Sequence, residues 1–330
     1  MGELAGVSPA TASRVLNGTG TRVAEALRAR VLKAAKELDY VPNAHAQALM
    51  RQDTQTVGVL AFDVNNPYFT EITSAIFGVA SATGRLVTIG NIGTEPQSEL
   101  TYIALLRSQR VGSLILAGSG RTDPQHNARV RAQLDAYRAG GGRVAFIGRH
   151  ELEGDIVTPD NRGGAGEAAR ALLELGHTRV GIIAGSQLMT VTLDRLEGFR
   201  DVYADAGHPV PDELVVPGHF IPSGGEEAMA ALLEREPGIT AVFCLNDAMA
   251  VGAMRLLRAR GIDVPGRISV MGFDDVAMAR EVSPALSTVR VPLAKMGETA
   301  MRLLLEPPSD TARTVWLPTS LCLRATTAPA

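Results

Sequence analysis

With 330 residues, 45% of them hydrophobic and 20% charged, the chain has the size for two or three domains and the balance of a globular protein, which excludes a disordered polypeptide. Two cysteines, Cys244 and Cys322, are too few and too unpatterned for a disulfide framework or a zinc site and point to a reducing cytoplasm; no apolar run of about 18 residues crosses a bilayer, and no secretory leader is read at the start. The net charge of −3 hides an asymmetry, because residues 1–52 carry seven Lys or Arg against four Asp or Glu, leaving −6 on the remainder. The net negative charge argues against a nucleic-acid binder as a whole, whereas a small basic end on an acidic body fits contact with DNA confined to that end.

The first pattern is a helix over Ser8–Asn17, SPATASRVLN. Ser8 suits an N-cap, Pro9 the first helical position, where its missing N–H costs nothing, and Gly18 a left-handed helix end. Ala12, Val15 and Leu16 share one face, while Ala10, Thr11, Ser13, Arg14 and Asn17 project elsewhere. A short helix with an apolar underside, small polar groups and one arginine suits a DNA major groove. Leu4–Ala5–Gly6–Val7 just upstream supplies the turn and apolar contacts of a helix-turn-helix. A third helix is predicted over Ala24–Leu38, with Leu27, Val31, Ala34, Ala35 and Leu38 at helical spacing. Tyr40–Val41–Pro42 ends it, since proline disfavours helix in the residue before it. Asn43–Met50, NAHAQALM, is helix-prone but too short to be stable alone. A helix that folds only on DNA is what a hinge needs; a plain linker is the alternative.

From Thr56 the texture becomes α/β. Strands are predicted at Val57–Phe62, Leu86–Ile89, Ser113–Ala117 and Arg143–Ile147, alternating with helices at Pro67–Thr83, Gln97–Gln109 and Gln125–Ala139. After Asp160 the pattern restarts, with helices at Gly163–Leu175, Leu193–Ala206, Gly224–Arg235 and Ala248–Arg260 and strands at Val180–Ala184, Ala241–Cys244 and Ile268–Met271. The tail adds a strand at Ser287–Val291, a helix at Leu293–Leu305 and strands at Thr314–Pro318 and Leu321–Arg324. Alternation of this kind makes parallel sheets covered on both faces, here two doubly wound lobes with a ligand cleft between them.

Long collinear stretches, among them AGVSPATASRVLNG, YVPNAHAQAL, NNPYF, LLELGHTRVGIIAG, RLEGF, FCLNDAMAVGAMRLLRARGIDVP, ISVMGFDD and LPTSLCLRATTAP, resemble the lactose-repressor/galactose-repressor (LacI/GalR) family of bacterial transcription regulators. The resemblance implies a headpiece over residues 1–42 and a hinge over 43–54. It also implies a periplasmic-binding-protein-like core, with one lobe at 55–160 and 291–318 and the other at 161–290 and 319–330. It further implies a cytoplasmic homodimer on operator DNA whose affinity is set by a small effector, a sugar by the chemistry of the shell, with no metal or other cofactor and no membrane. Ser8, Thr11, Ser13, Arg14 and Asn17 match phosphate- and base-contacting positions, with Arg14 suited to a bidentate guanine contact. Pro9 and Ala10 occupy the variable reading positions. In the hinge, Asn43 is a possible cap, and Leu49, with Ala46 beside it, matches the leucine that wedges a base step. Asn66, Tyr68, Phe69, Arg149, Asp160, Arg195, Phe220, Asn246 and Asp274 match the effector shell. Fixed amide, carboxylate and guanidinium groups suit sugar hydroxyls, and aromatic rings suit the apolar faces of a sugar.

The chain departs from the family at several points. Members begin several residues earlier, so the first helix is expected to be truncated and the native chain to extend upstream of Met1. Ala24 replaces the usual Ser or Thr cap of the third helix. Gly148 stands where sugar-binding relatives often carry aspartate, and Val291 replaces a common glutamine. Against an enzyme, no strand leads into G-x-G-x-x-G, no G-x-S-x-G elbow occurs, and the six histidines lack metal spacing. Gly118–Ser119–Gly120 and Gly163–Gly166 read as turns, and His177 as a loop or helix-end residue. The remaining alternative is a sugar-binding protein with a vestigial headpiece.

Overall fold

A computed structural model describes residues 2–16, 23–40 and 55–330, in two units, Met1–Gln55 and Thr56–Ala330. The first unit holds α1 (Gly2–Ala5), α2 (Pro9–Leu16) and α3 (Glu25–Glu37). Ala5, Ala12, Val15, Val31 and Ala34 form its small core, with Val7, Leu16 and Val23 packed at the edge. Gly6 makes the turn between α1 and α2 at φ +62°, and a Cβ there would run into the Arg30 guanidinium. Ser8 caps α2 by accepting the Thr11 N–H on its hydroxyl at 3.2 Å. Ala24 precedes α3 with no side-chain cap.

Two expectations for this unit fail. Leu4 and Leu38 are 56% and 51% exposed rather than core, because Ala5, Val31 and Ala34 already fill the contact between such short helices. The third helix ends at Glu37, with Leu38 as C-cap and Asp39 in the left-handed region at φ +46°, so the chain leaves the helix before Pro42 can act. Asn17 and the hinge segment with Asn43, Ala46 and Leu49 lie outside the described residues.

The second unit begins with a parallel α/β run: β1 (Thr56–Ala61), α4 (Pro67–Ala82), β2 (Leu86–Asn91), α5 (Pro96–Ser108), β3 (Ser113–Ala117), α6 (Pro124–Ala139), β4 (Arg143–Ile147) and β5 (Asp155–Pro159). Side-chain alternation explains why helices cover both faces. Val57, Val59 and Ala61 of β1 enter one core with Ile72 and Ile76 of α4, whereas Leu60 enters the other with Ile103 of α5 and Leu134 of α6. The second sheet follows from α7 (Asn161–Glu174), β6 (Val180–Ala184), α8 (Thr190–Asp205), β7 (Val215–Pro217), α9 (Pro222–Arg235), β8 (Ala241–Cys244), α10 (Asp247–Ala259), β9 (Ser269–Met271) and α11 (Ala277–Glu281). The tail forms β10 (Thr288–Arg290), α12 (Leu293–Leu305), β11 (Thr314–Leu317) and β12 (Ser320–Cys322). β11 returns to the first sheet, whose order is β11-β5-β4-β3-β1-β2; the second runs β7-β6-β8-β9, and β10 pairs with β12. The chain therefore passes from one sheet to the other and back.

The short elements β5, β7 and α11 are absent from the sequence reading, since charged and proline residues interrupt their apolar runs. Gly163–Gly166 is not a turn but the start of α7, with Gly164 so close to Thr319, Val289 and Phe273 that a Cβ has no room. His177, just past α7, is buried and bonds Thr240 and the carbonyl of Ala328 at 2.9 Å each, which anchors the carboxyl-terminal tail.

Candidate functional site

A cavity of about 440 Å3 is lined from both sheets, by residues that follow the carboxyl ends of β1, β3, β4, β6, β8 and β9. Strand carboxyl ends are where α/β sheets present loops and helix amino termini to ligands. Asn66, Tyr68, Phe69, Arg195, Phe220, Asn246 and Asp274 all line it, seven of the nine shell residues expected from the sequence.

On the second-sheet wall Arg195 of α8 is only 2% exposed and every part of its guanidinium is engaged. Nε donates to Asn161 Oδ1 at 2.9 Å, Nη1 donates to the Leu245 carbonyl, and Nη2 lies 2.9 Å from Asp274 Oδ1. The guanidinium carbon stacks 3.8 Å above the Phe273 ring. Burial pushes the Asp274 carboxyl up to about 6, with the Arg195 charge opposing. Behind it the buried Asp247 carboxylate accepts from Thr288 Oγ1 and Val276 N at 2.5 and 2.9 Å. Burial, and then the charges of Asp274 and Asp275, push Asp247 well above the usual carboxylate range. Asp275 forms ion pairs with Arg280, Arg290 and Arg324 at 3.2, 2.7 and 2.6 Å.

Asn246 caps α10, accepting the Met249 N–H at 2.9 Å and donating to the Phe220 carbonyl at 3.2 Å. His219, Phe220, Asp274 and Asp275 all have left-handed φ, at 56°, 61°, 118° and 57°. Non-glycine residues in that region cost of order 1–3 kcal/mol each and cluster where a ligand site holds them.

The first-sheet wall is more apolar. Asn66 caps α4 by accepting the Tyr68 N–H at 3.0 Å, which leaves its amide donor for the cavity. Tyr68 meets Phe69 edge-to-face at 5.0 Å, and Phe69 stacks with Phe62 at 6.4 Å. Burial, and then the Asp274 charge, raise the Tyr68 phenol, so it stays a neutral hydroxyl. Gly148 has φ +94°, and a Cβ there would sit 3.0 Å from the Gly118 carbonyl oxygen, so any side chain at this close approach of two loops is strained. Val291 is buried and does not line the cavity.

Two expected shell residues are spent elsewhere. Arg149 forms a two-pronged pair with Asp194 of α8, at 3.0 and 2.9 Å, joining the loop after β4 to the other lobe. Asp160 caps α7 by accepting the Gly163 N–H at 2.8 Å. Neither lines the cavity, because both side chains satisfy a local partner first. Conversely, Asp63, Glu99, Arg121, His150 and His219 line it and belong to no recognised motif. His150 donates from Nε2 to the Gly118 carbonyl at 2.8 Å, and burial lowers its pKa despite Glu99 nearby.

In the first unit, Ser8, Pro9, Ala10 and Arg14 are exposed, and Thr11 and Ser13 half-exposed. Ser8 and Thr11 hydroxyls lie 3.0 Å apart, and Arg14 Nε donates to the Ala10 carbonyl at 3.3 Å. Among the described residues no helix is long and apolar enough to cross a membrane, and no cluster of His, Cys, Asp and Glu side chains is arranged to hold a metal.

A helix-turn-helix unit in one chain with a two-sheet body and a polar cavity at the strand ends defines a ligand-responsive transcriptional regulator. Residues 2–43 match the bacterial regulatory proteins of the lacI family, and residues 169–327 match a periplasmic binding protein-like domain. The HTH-type transcriptional regulator GalR of Escherichia coli (strain K12) is 40% identical over 304 residues, which span 92% of this chain and 86% of that one. Among solved structures, the transcriptional regulator CelR–cellobiose complex has a TM-score of 0.75 at 31% identity, covering 98% of each chain. The lac repressor dimer bound to operator and the anti-inducer ONPF has a TM-score of 0.85 at 25% identity, covering 99% of this chain and 97% of that one. The chain belongs to the lacI family of bacterial regulatory proteins.

Proposed function

We propose that the chain is a cytoplasmic repressor whose affinity for operator DNA is set by a sugar held between the two lobes. The observation that carries this reading is the Arg195–Asp274–Asn246 cluster on one wall of the cavity, opposite the Asn66 amide and the Tyr68 and Phe69 rings on the other. Fixed donors and acceptors opposite aromatic faces are the chemistry of sugar recognition. A ligand that touches both walls favours one separation of the lobes, and that differential affinity is what couples it to DNA. Asn66, Tyr68, Phe69, Arg195, Phe220, Asn246 and Asp274 contact the sugar, while Arg149 and Asp160 support the loops around it.

On DNA, Arg14 reads a guanine and Ser8, Thr11, Ser13 and Asn17 hold phosphates and base edges, with Pro9 and Ala10 offering only steric and methyl contacts. Asn43, Ala46 and Leu49 serve the hinge. A homodimer is favoured by Phe77, Leu86 and Ile89, exposed at 44%, 67% and 36% on α4 and the sheet-edge strand β2. Titrating a duplex from the chain's own promoter, with and without sugars, tests the reading. Specific binding that changes with a sugar is expected, and Arg14→Ala loses that specificity by roughly tenfold or more while sugar binding survives. Equal affinity for promoter and random DNA under every condition contradicts it.

A further inference from the structure

We propose that the two strands crossing between the sheets carry a second ligand site, built on Arg280, Arg290 and Ser320, for a phosphate dianion, free or as a phosphomonoester. None of these residues lines the cavity described above. β10 leads into α12, and β12 follows β11 of the first sheet, so Arg290 and Ser320 stand on the two crossovers. They are register partners in the antiparallel ribbon, which places both side chains on one face.

The anchor is Asp275, whose side chain is fully buried and whose backbone is left-handed at φ 57°. Its Oδ2 accepts from Arg290 Nε at 2.7 Å and from Arg280 Nη1 at 3.2 Å, so two guanidinium groups meet on one oxygen and stand side by side. Its Oδ1 accepts from Arg324 Nη2 at 2.6 Å; that arginine is mostly buried and also donates to the Leu286 carbonyl at 2.8 Å. Arg280 and Arg290 are instead 52% and 54% exposed. Among the described residues, both Nη atoms of Arg290 and the Nε and Nη2 of Arg280 have no acceptor. Three guanidinium groups against one carboxylate leave a formal charge of +2, and Glu281, next to Arg280 in α11, pairs with none of them. A planar guanidinium fork matches the oxygen pairs of phosphate. Because Asp275 already holds both side chains, little rotamer freedom is lost when an anion arrives. The exposed Ser320 hydroxyl on the same face supplies a further donor. A bound anion would tie both crossover strands to α11.

The test is calorimetric titration of the full-length chain at constant ionic strength and about pH 8, where phosphate is a dianion. The ligands are inorganic phosphate, glycerol 3-phosphate and, as a singly charged control, nitrate. One phosphate per chain is expected to bind about tenfold or more tightly than nitrate. Glycerol 3-phosphate binding more tightly than inorganic phosphate assigns the site to a phosphomonoester, and the reverse order assigns it to the free ion. Arg290→Gln and Arg280→Gln should each weaken phosphate by about tenfold. Arg280→Gln keeps the test valid if Arg290→Gln fails to fold, because Asp275 then retains two arginine partners. Arg280→Lys, which keeps the charge without the fork, should weaken phosphate as well. No saturable phosphate binding, nitrate binding as tightly, or phosphate binding that survives Arg280→Gln overturns the site. The titration uses neither sugar nor DNA, so its outcome is independent of the function proposed above.

Discussion

Arg195 and Glu99 face one cavity from opposite sheets and are held in different ways. Arg195 is bound by an amide, a carbonyl, a carboxylate and an aromatic face, all from its own side of the cavity. Glu99 is held by one histidine, His126, and lies near a second, His150, on a wall that also carries Leu60, Ile92 and Leu116. A wall whose polar groups are locked before ligand arrives fixes orientation, because little order is lost on binding. A wall of apolar surface with few polar groups fixes how much ligand fits and where it extends. The two-pronged Arg149–Asp194 pair ties the walls together near Thr190, whose N–H donates to the Gly120 carbonyl at 3.0 Å.

The comparison predicts unequal costs. Arg195→Ala strips a buried carboxylate of its partner and should destabilise the chain by about 3–5 kcal/mol in a urea titration, with loss of any sugar-induced thermal shift. Tyr68→Phe on the other wall removes a hydroxyl and should change stability by less than about 1 kcal/mol. Equal losses in the two variants would break the distinction between the walls.

Protonation sharpens it further. Asp274 is raised to about 6 in the folded chain, above its unfolded value of about 3.9. Between those values the folded chain binds the extra proton, so the Asp274 contribution to stability falls as pH rises from about 4 to about 6 and is level above that window. Sugar affinity should rise across the same window as the carboxylate acceptor forms. A thermal series at stepped pH should show the slope in the native chain and a reduced slope in Asp274→Asn, with Asp247, shifted in the same direction, supplying the residue. The smallest effect belongs to the first unit, whose α3 lacks a side-chain cap. Ala24→Ser should stabilise that unit by about 1 kcal/mol, read by hydrogen exchange of α3 amides.

Much of this was legible from residue order. Continuous apolar runs alternating with helical patterns located the longer strands, and Ser8 and Pro9 announced the start of α2. Asn66 and Asn246 were found through resemblance, yet each is also a polar residue directly before a helix, a local signal that the structure explains as capping. Asp160, also found through resemblance, caps α7 in the same way and does not line the cavity. Glu99 and His150 left no trace in sequence because their role arises when separate helices and loops meet, as does the crowding at Gly148. β5 and β7 were hidden by Asp155, Pro159 and Pro217, which dilute runs that neighbouring strands nonetheless pair.

The central claim is that a sugar held by Asp274 controls operator affinity. Anisotropy of a labelled promoter duplex, titrated with the native chain and with Asp274→Ala at rising sugar, measures it directly. The native chain should change its affinity with sugar, and Asp274→Ala should bind the duplex as tightly while ignoring the sugar; a normal sugar response from Asp274→Ala would contradict the account.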